Sequence, residues 1–295
     1  MNARRAVAAL GVAVVAVSFG APLARLTEAA PLAVAMWRMV FATAILMPVV
    51  AAGGGLRIAP RHRPAALLAG CCLGLHFGLW IPSLWLTSVS ASVVLVATAP
   101  LWVLLASPRL LGVPVRGRNV LSFAVALAGV AVIGWGDVRL SWRALSGDLL
   151  ALGGAVAVAG YIVMGKRVRG ELPLAPYLAA VNAVAAVVLV GAVAGARVAP
   201  FPRTGVSWLF LLAMAAGPTL IGHTLLNWAL AHLEAYRVNL AVLLEPVLAS
   251  LWTWLLLAEA PPPHVFPGAA LVIAALALEY TAGSHARHDT RGGDG

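Results

Sequence analysis

Along the chain, long apolar runs alternate with short polar breaks ten times. Runs dominated by Ala, Val and Leu fall at 6–24, 31–52, 64–86, 89–107, 119–136, 148–165, 174–195, 206–230, 238–257 and 265–280. Each is near the roughly 20 apolar residues a helix needs to cross a bilayer. None shows the period-two alternation of a barrel strand, and a segment in lipid must satisfy its own backbone groups. The pattern therefore predicts an all-α polytopic membrane protein with ten transmembrane helices.

Composition points the same way. Hydrophobic residues make up 62% of the 295 and charged residues 10%, with a mean hydropathy of +0.96. Soluble domains run at roughly 45–50% and 25%. Too few polar side chains exist to cover a water-facing surface, so lipid is the expected solvent for most of the chain. Arg4-Arg5 followed by Ala6–Gly20 has the look of a cleaved signal peptide. The run's continuation to Ala24, a full span, argues for a retained helix.

The net charge of +10 would suggest nucleic acid in a soluble protein; here topology explains it. With the N-terminus in the cytoplasm, fourteen of the 20 Lys and Arg residues fall inside, five fall outside and Arg38 lies within a span. That is the positive-inside bias, and it puts both termini in the cytoplasm. Cys71 and Cys72 are adjacent within a helix, a spacing that fits neither a disulfide framework nor a metal site. No cofactor or metal is expected.

The chain also contains a duplication. Leu95–Trp102 lines up with Ala241–Leu248, placing Pro100 opposite Pro246 and Ala99 opposite Glu245. A polar break precedes each segment, at 87–92 and 233–238, and one last apolar helix follows each. Residues 1–136 and 148–280 are thus read as two five-helix repeats, joined by 137–147 and followed by a polar tail, 281–295, expected to be disordered. Five being odd, the halves enter the membrane in opposite directions. Loop charge agrees: Arg25 stands alone after the first span, whereas Lys166, Arg167 and Arg169 follow the sixth. Inverted repeats are a transporter architecture, in which exchange of the two packings opens a midplane site to either side.

Ser18-Phe19-Gly20 with Pro31 and Trp37-Arg38 resembles the first two helices of the drug/metabolite transporter superfamily, EamA-type branch. So do Ser90-Ala91-Ser92 with Pro100-Leu101 and, in the second half, Asn227-Trp228-Ala229-Leu230, Leu244-Glu245-Pro246-Val247, Glu259 and Gly268-Ala269-Ala270. The resemblance covers about 8–136 and 148–280. It implies a ten-helix permease with a central cavity that moves small metabolites across a bacterial-type inner membrane, often outward. Phe19 departs from the usual Trp before the glycine, and Gly112-Val113 stands where Gly-Glu usually ends the fourth helix.

Polar groups inside a span are costly, which singles out the candidate site. Arg38, about seven residues into the second span, could attract a carboxylate; a structural or snorkelling arginine is the other reading. Glu245, directly before Pro246, could hold a proton or cation beside carbonyls the proline leaves free. A protonated carboxyl tying two helices together would serve as well. Thr219, His223 and Asn227 form one stripe on the eighth span, and His76, Trp80 and Ser83 another on the third. Both suit a cavity wall or plain interhelical hydrogen bonding. Asn182 and Tyr161 are weaker candidates of the same kind. No His-Glu-x-x-His, Gly-x-Ser-x-Gly or P-loop occurs, which disfavours a membrane-embedded enzyme and direct drive by ATP. A nontransporting scaffold or sensor would lack a soluble module to signal through. The expected function is secondary transport of amino-acid-like or amphiphilic metabolites, with proton coupling at Glu245 a further expectation.

Overall fold

The computed structural model describes residues 3–114, 117–133, 141–257, 260–261 and 263–285. Every regular element among them is helical. In the first half these are α1 (Ala3–Ser18), α2 (Gly20–Arg25), α3 (Pro31–Ala52), α4 (Arg63–Leu86), α5 (Val89–Val96), α6 (Ala99–Leu110) and α7 (Gly117–Ile133). The second half holds α8 (Trp142–Val168), α9 (Leu174–Ala196), α10 (Gly205–Met214), a π-helical segment (Ala215–His223), α11 (Thr224–Leu230), α12 (Ala235–Val242), α13 (Glu245–Leu257) and α14 (Val265–His285).

Local sequence sets the ends of these helices. Pro31 opens α3, where its missing N–H costs nothing. Ser88 and Ser141 cap α5 and α8, accepting from the backbone N–H groups of Ala91 and Ala144 at 3.0 Å each. The break read at 87–92 is therefore narrower, since Ser92 already lies inside α5 and its hydroxyl meets that of Ser83 at 2.6 Å.

Among the described residues, eight segments are long and apolar enough to cross a membrane: Arg5–Arg25, Pro31–Ala52, Pro60–Leu86, Ala91–Leu111, Trp142–Val168, Leu174–Ala196, Gly205–Leu230 and Arg237–Leu256. Two shorter apolar stretches, Asn119–Ile133 and Val265–Leu278, belong to the last helix of each half. Further features differ from the sequence expectation: α8 already begins at Trp142, inside the 137–147 stretch read as the connection. Helix α14 runs on to His285, five residues into the stretch read as a disordered tail; the helical ladder outlasts the apolar run because frayed ends can extend into water. The fourth and ninth apolar runs are not continuous helices. Each breaks just before its proline, at Ala97–Thr98 and at Leu243–Leu244, with tight backbone bonds from Thr98 to Leu95 and from Leu244 to Ala241, both 3.1 Å.

The halves interlock. Helix α4 lies against α8 and α9, α3 against α9, α1 against the π-helical segment, and α7 against α14. Small residues make the close approaches. A Cβ on Gly70 would stand 2.5 Å from Val184, and one on Gly74 3.0 Å from Val188. Gly191 and Gly195 have the same four-residue spacing, yet a Cβ at either meets nothing within 4 Å; spacing alone does not say which face has a neighbour. At the α7–α14 contact Gly129 and Gly268 are reciprocal, each Cβ position 2.6 Å from the other's carbonyl. Gly129→Leu is expected to overpack this contact by roughly 1–3 kcal/mol. The detergent-purified variant should melt several degrees below wild type, while Gly191→Leu should melt with it.

Candidate functional site

The two helix breaks meet at one cavity between the halves. Its wall takes Val96, Ala97, Ala99 and Pro100 from the first break and Val242, Leu243 and Glu245 from the second. Counting its mouth, the space is about 790 Å³. Pro100 and Pro246 have no N–H to offer the carbonyls of Val96 and Val242, four residues back, so both breaks bring polar backbone to an otherwise apolar wall.

Arg38 on α3 enters this wall 1% exposed. Its Nε donates to Thr219 Oγ1 at 2.7 Å, and its guanidinium carbon lies 4.1 Å from the centre of the Phe77 ring. The Thr219 hydroxyl donates in turn to the Met214 carbonyl at 3.1 Å, a partner five residues back in the π-helical register. With its proton committed there, Thr219 can only accept from Arg38. The guanidinium is therefore fixed on one edge and one face, and its Nη1 has no hydrogen-bond partner among the described residues. Gly20 packs beside this group, a Cβ there lying at ordinary contact distance, 3.7 Å from Nη1 and 3.5 Å from the Trp80 ring.

Glu245, half-buried at the start of α13, is the one acidic side chain in the described lining. Ion pairs among the described residues join Glu171 to Arg61 (2.9 Å) and His62 (3.1 Å), at the surface. Arg38 and Glu245 form none: they face the same cavity without touching.

The same wall carries a polar and aromatic group. His76 Nδ1 meets the Gly154 carbonyl at 2.9 Å, a contact that requires a proton on Nδ1 and leaves Nε2 as the acceptor. Its ring stacks on Trp80, centroids 5.6 Å apart. His223 meets Phe77 edge-on at 5.6 Å. The Asn227 amide donates to the Tyr161 hydroxyl and to the His223 carbonyl (2.8 Å), while its Oδ1 has no partner among the described residues.

Of the residues singled out from the sequence, Arg38, Glu245, His223, Asn227, His76, Trp80 and Tyr161 line this cavity. Thr219 stands behind Arg38 rather than in the wall. Asn182, buried on α9, is not part of the lining, nor is Ser83, whose hydroxyl is spent on the Trp80 carbonyl and Ser92. Of Trp37, Trp80, Trp228, Trp252 and Trp254, which lie within the apolar runs, Trp80 alone reaches the cavity. Trp37 donates to the Pro200 carbonyl at 2.6 Å in an aromatic cluster with Phe41 and Trp208, and Trp252 donates to Ser18 at 2.7 Å. Phe19 stacks on that Trp252 ring, centroids 4.4 Å apart, so the departure from Trp at 19 falls at a helix contact. Phe77 and Asn239 line the cavity without having been singled out. Phe77 carries no polar signal, whereas Asn239, a buried amide in an apolar run, could have been found as Asn227 was. Glu259, one of the quoted motif residues, lies outside the described residues. Among the described residues no three His, Cys, Asp or Glu side chains gather at metal-binding distance.

None of the curated proteins matches the chain. Among solved structures, the crystal structure of another protein superposes with a TM-score of 0.79 at 20% identity, covering 93% of this chain and 96% of that one. A likeness at that identity speaks to the fold alone. The family comparison reaches further, because it matches twice, over residues 5–135 and again over 145–281, and those two stretches are the halves that interlock around the cavity. The chain is a multi-pass membrane protein belonging to the EamA-like transporter family, a family that moves small molecules.

Proposed function

We propose that this protein is a secondary transporter that moves small amino-acid-like or amphiphilic metabolites outward across a bacterial-type inner membrane by alternating access. In this reading all ten apolar segments span the bilayer, α7 and α14 included, as two inverted five-helix repeats with both termini in the cytoplasm. The described part of α7, Gly117–Ile133, accounts for about 25 Å of its span at 1.5 Å per residue.

The observation that carries the reading is the convergence of both helix breaks, a fixed arginine and a separate carboxylate on one cavity between the repeats. A bound zwitterion would set its carboxylate on the open edge of Arg38, where two parallel N–H donors match two oxygens. Its cationic group would face Glu245, and its apolar part would lie along Phe77, Trp80 and Leu226. When no substrate is bound, a proton on Glu245 would take that cationic role, which couples export to proton entry.

Cells expressing wild type, Arg38→Ala and Glu245→Gln at matched membrane levels test this. One class of small zwitterion is expected to build up outside above its concentration in the cells with wild type and not with either variant. Equal release from all three across a broad metabolite panel would remove the export claim for the compounds those cells contain.

A further inference from the structure

We propose that Arg25 and Lys166 are paired gate latches, one at each end of the cavity, whose release decides the face to which the cavity opens. The proposal rests on the inverted-repeat reading above, and its evidence is a hydrogen-bond pattern that recurs in the two halves.

The last carbonyls of a helix have no partner within it and carry the negative end of its dipole. In the first half, Arg25 Nη1 donates to the Leu84 carbonyl, near the end of α4, at 2.8 Å, and the guanidinium lies over the Trp85 ring at 5.6 Å. Arg143 supports it from α8, donating to the Trp85 carbonyl at 3.0 Å. In the second half, Lys166 Nζ donates to the carbonyls of Leu230 and Leu233 at the end of α11, both at 2.8 Å. Arg169 supports this contact, its Nε reaching the Asn227 carbonyl at 3.3 Å and its Nη1 the Leu172 carbonyl at 2.6 Å.

The register that pairs Leu95 with Ala241 also pairs Leu84 with Leu230. The two halves thus present the same carbonyl to a cation from the last turn of their own first span, α2 in one case and α8 in the other. Each latch sits at the corner between a third span and the first segment of a broken fourth span. Those segments, α5 and α12, line the cavity through Val96 and through Val238 and Asn239. Leu230 is itself in the wall, and Trp80 stands one turn before Leu84. Freeing either corner lets its broken helix swing away from the cavity at that end.

Charge distribution puts the Arg25 corner outside and the Lys166 corner on the cytoplasmic face. The two differ in exposure: Arg25 is exposed, whereas Lys166 is half-buried and Arg169 is 6% exposed. A contact in water is weakened by solvent more than one shielded from it, so the outer latch opens more readily. Ordinary capping of a helix end would affect stability alike at both corners and would not bias the opening to one face.

A reporter cysteine reads that bias without knowledge of the substrate. Cys71 and Cys72 are replaced by Ala, and Leu226, a half-buried cavity residue, by Cys in the full chain. Reaction with a membrane-impermeant maleimide is then followed in inside-out and right-side-out vesicles. Lys166→Met should raise labelling from the cytoplasmic face by about fivefold or more and lower it from the outer face, as a population shift requires. Arg25→Met should do the reverse, Lys166→Arg should match the unmutated latch, and Lys166→Gln, which keeps a donor, should fall between and guards against a Met variant that misfolds. Shifts in the same direction from both Met variants, or none where the reporter reacts from both faces, would overturn the latches and leave the transport reading standing. A reporter that reacts from neither face in any variant would overturn alternating access and the latches together.

Discussion

Arg38→Ala is expected to lower the apparent affinity for the transported zwitterion by about 100-fold or more while leaving the protein folded. Hydrogen bonds to a charged group contribute about 1.5–3 kcal/mol each, and every 1.4 kcal/mol is about tenfold, so losing a two-point grip reaches that range. The fold should survive because little is orphaned: Thr219 keeps its bond to the Met214 carbonyl, and Phe77 loses only the face contact. Arg38→Lys separates charge from shape. It keeps the cation but cannot present two parallel donors while holding Thr219, so its affinity should fall between alanine and wild type. Initial transport rates against concentration in proteoliposomes decide this, and an unchanged half-saturation in Arg38→Ala would remove the arginine from the substrate site.

Glu245→Gln should have its largest effect on coupling rather than on binding. Glutamine fills the same space and keeps polar atoms toward the cavity, but it cannot carry a proton in and out of the charged state. Since Glu245 is the one acid in the described lining, the variant should lose accumulation against a gradient, its final concentration ratio falling to about one. Exchange between the two faces should continue. If the variant still accumulates substrate when a pH difference is imposed, the proton rides elsewhere. Glu245→Asp provides a second check, because it retains the titrating group one methylene further from the cavity.

How far all this can be read before any coordinates follows from what each feature leaves in the sequence. The all-helical membrane character and the site's polarity leave strong marks: Arg38, His76, Tyr161, His223, Asn227 and Glu245 stand out because each is costly in lipid, and the cavity is where that cost is relieved. Asn182 carries the same mark and does not line the cavity, since a buried amide serves helix packing equally well. The break before Glu245 is legible in Pro246; that before Ala99 is marked by Pro100 and by the repeat. The π-helical segment is not legible. Pro218 marks a disturbance there, but the longer register depends on how Gly222 packs, its Cβ position lying 2.6 Å from Val17 on α1. Phe77 is invisible for a related reason, since its value lies in facing a guanidinium and an apolar residue in an apolar helix announces nothing.

The central claim is that a small zwitterion crosses the membrane through the cavity between the repeats. The most direct test preloads proteoliposomes containing the purified wild type with a panel of amino acids and follows the release of each, beside protein-free vesicles and vesicles containing Arg38→Ala. At least one compound is expected to leave through the wild type about tenfold faster than through either control, with imposed proton entry accelerating its exit. Release of every compound at the protein-free rate, under a pH difference of either sign, would contradict the account.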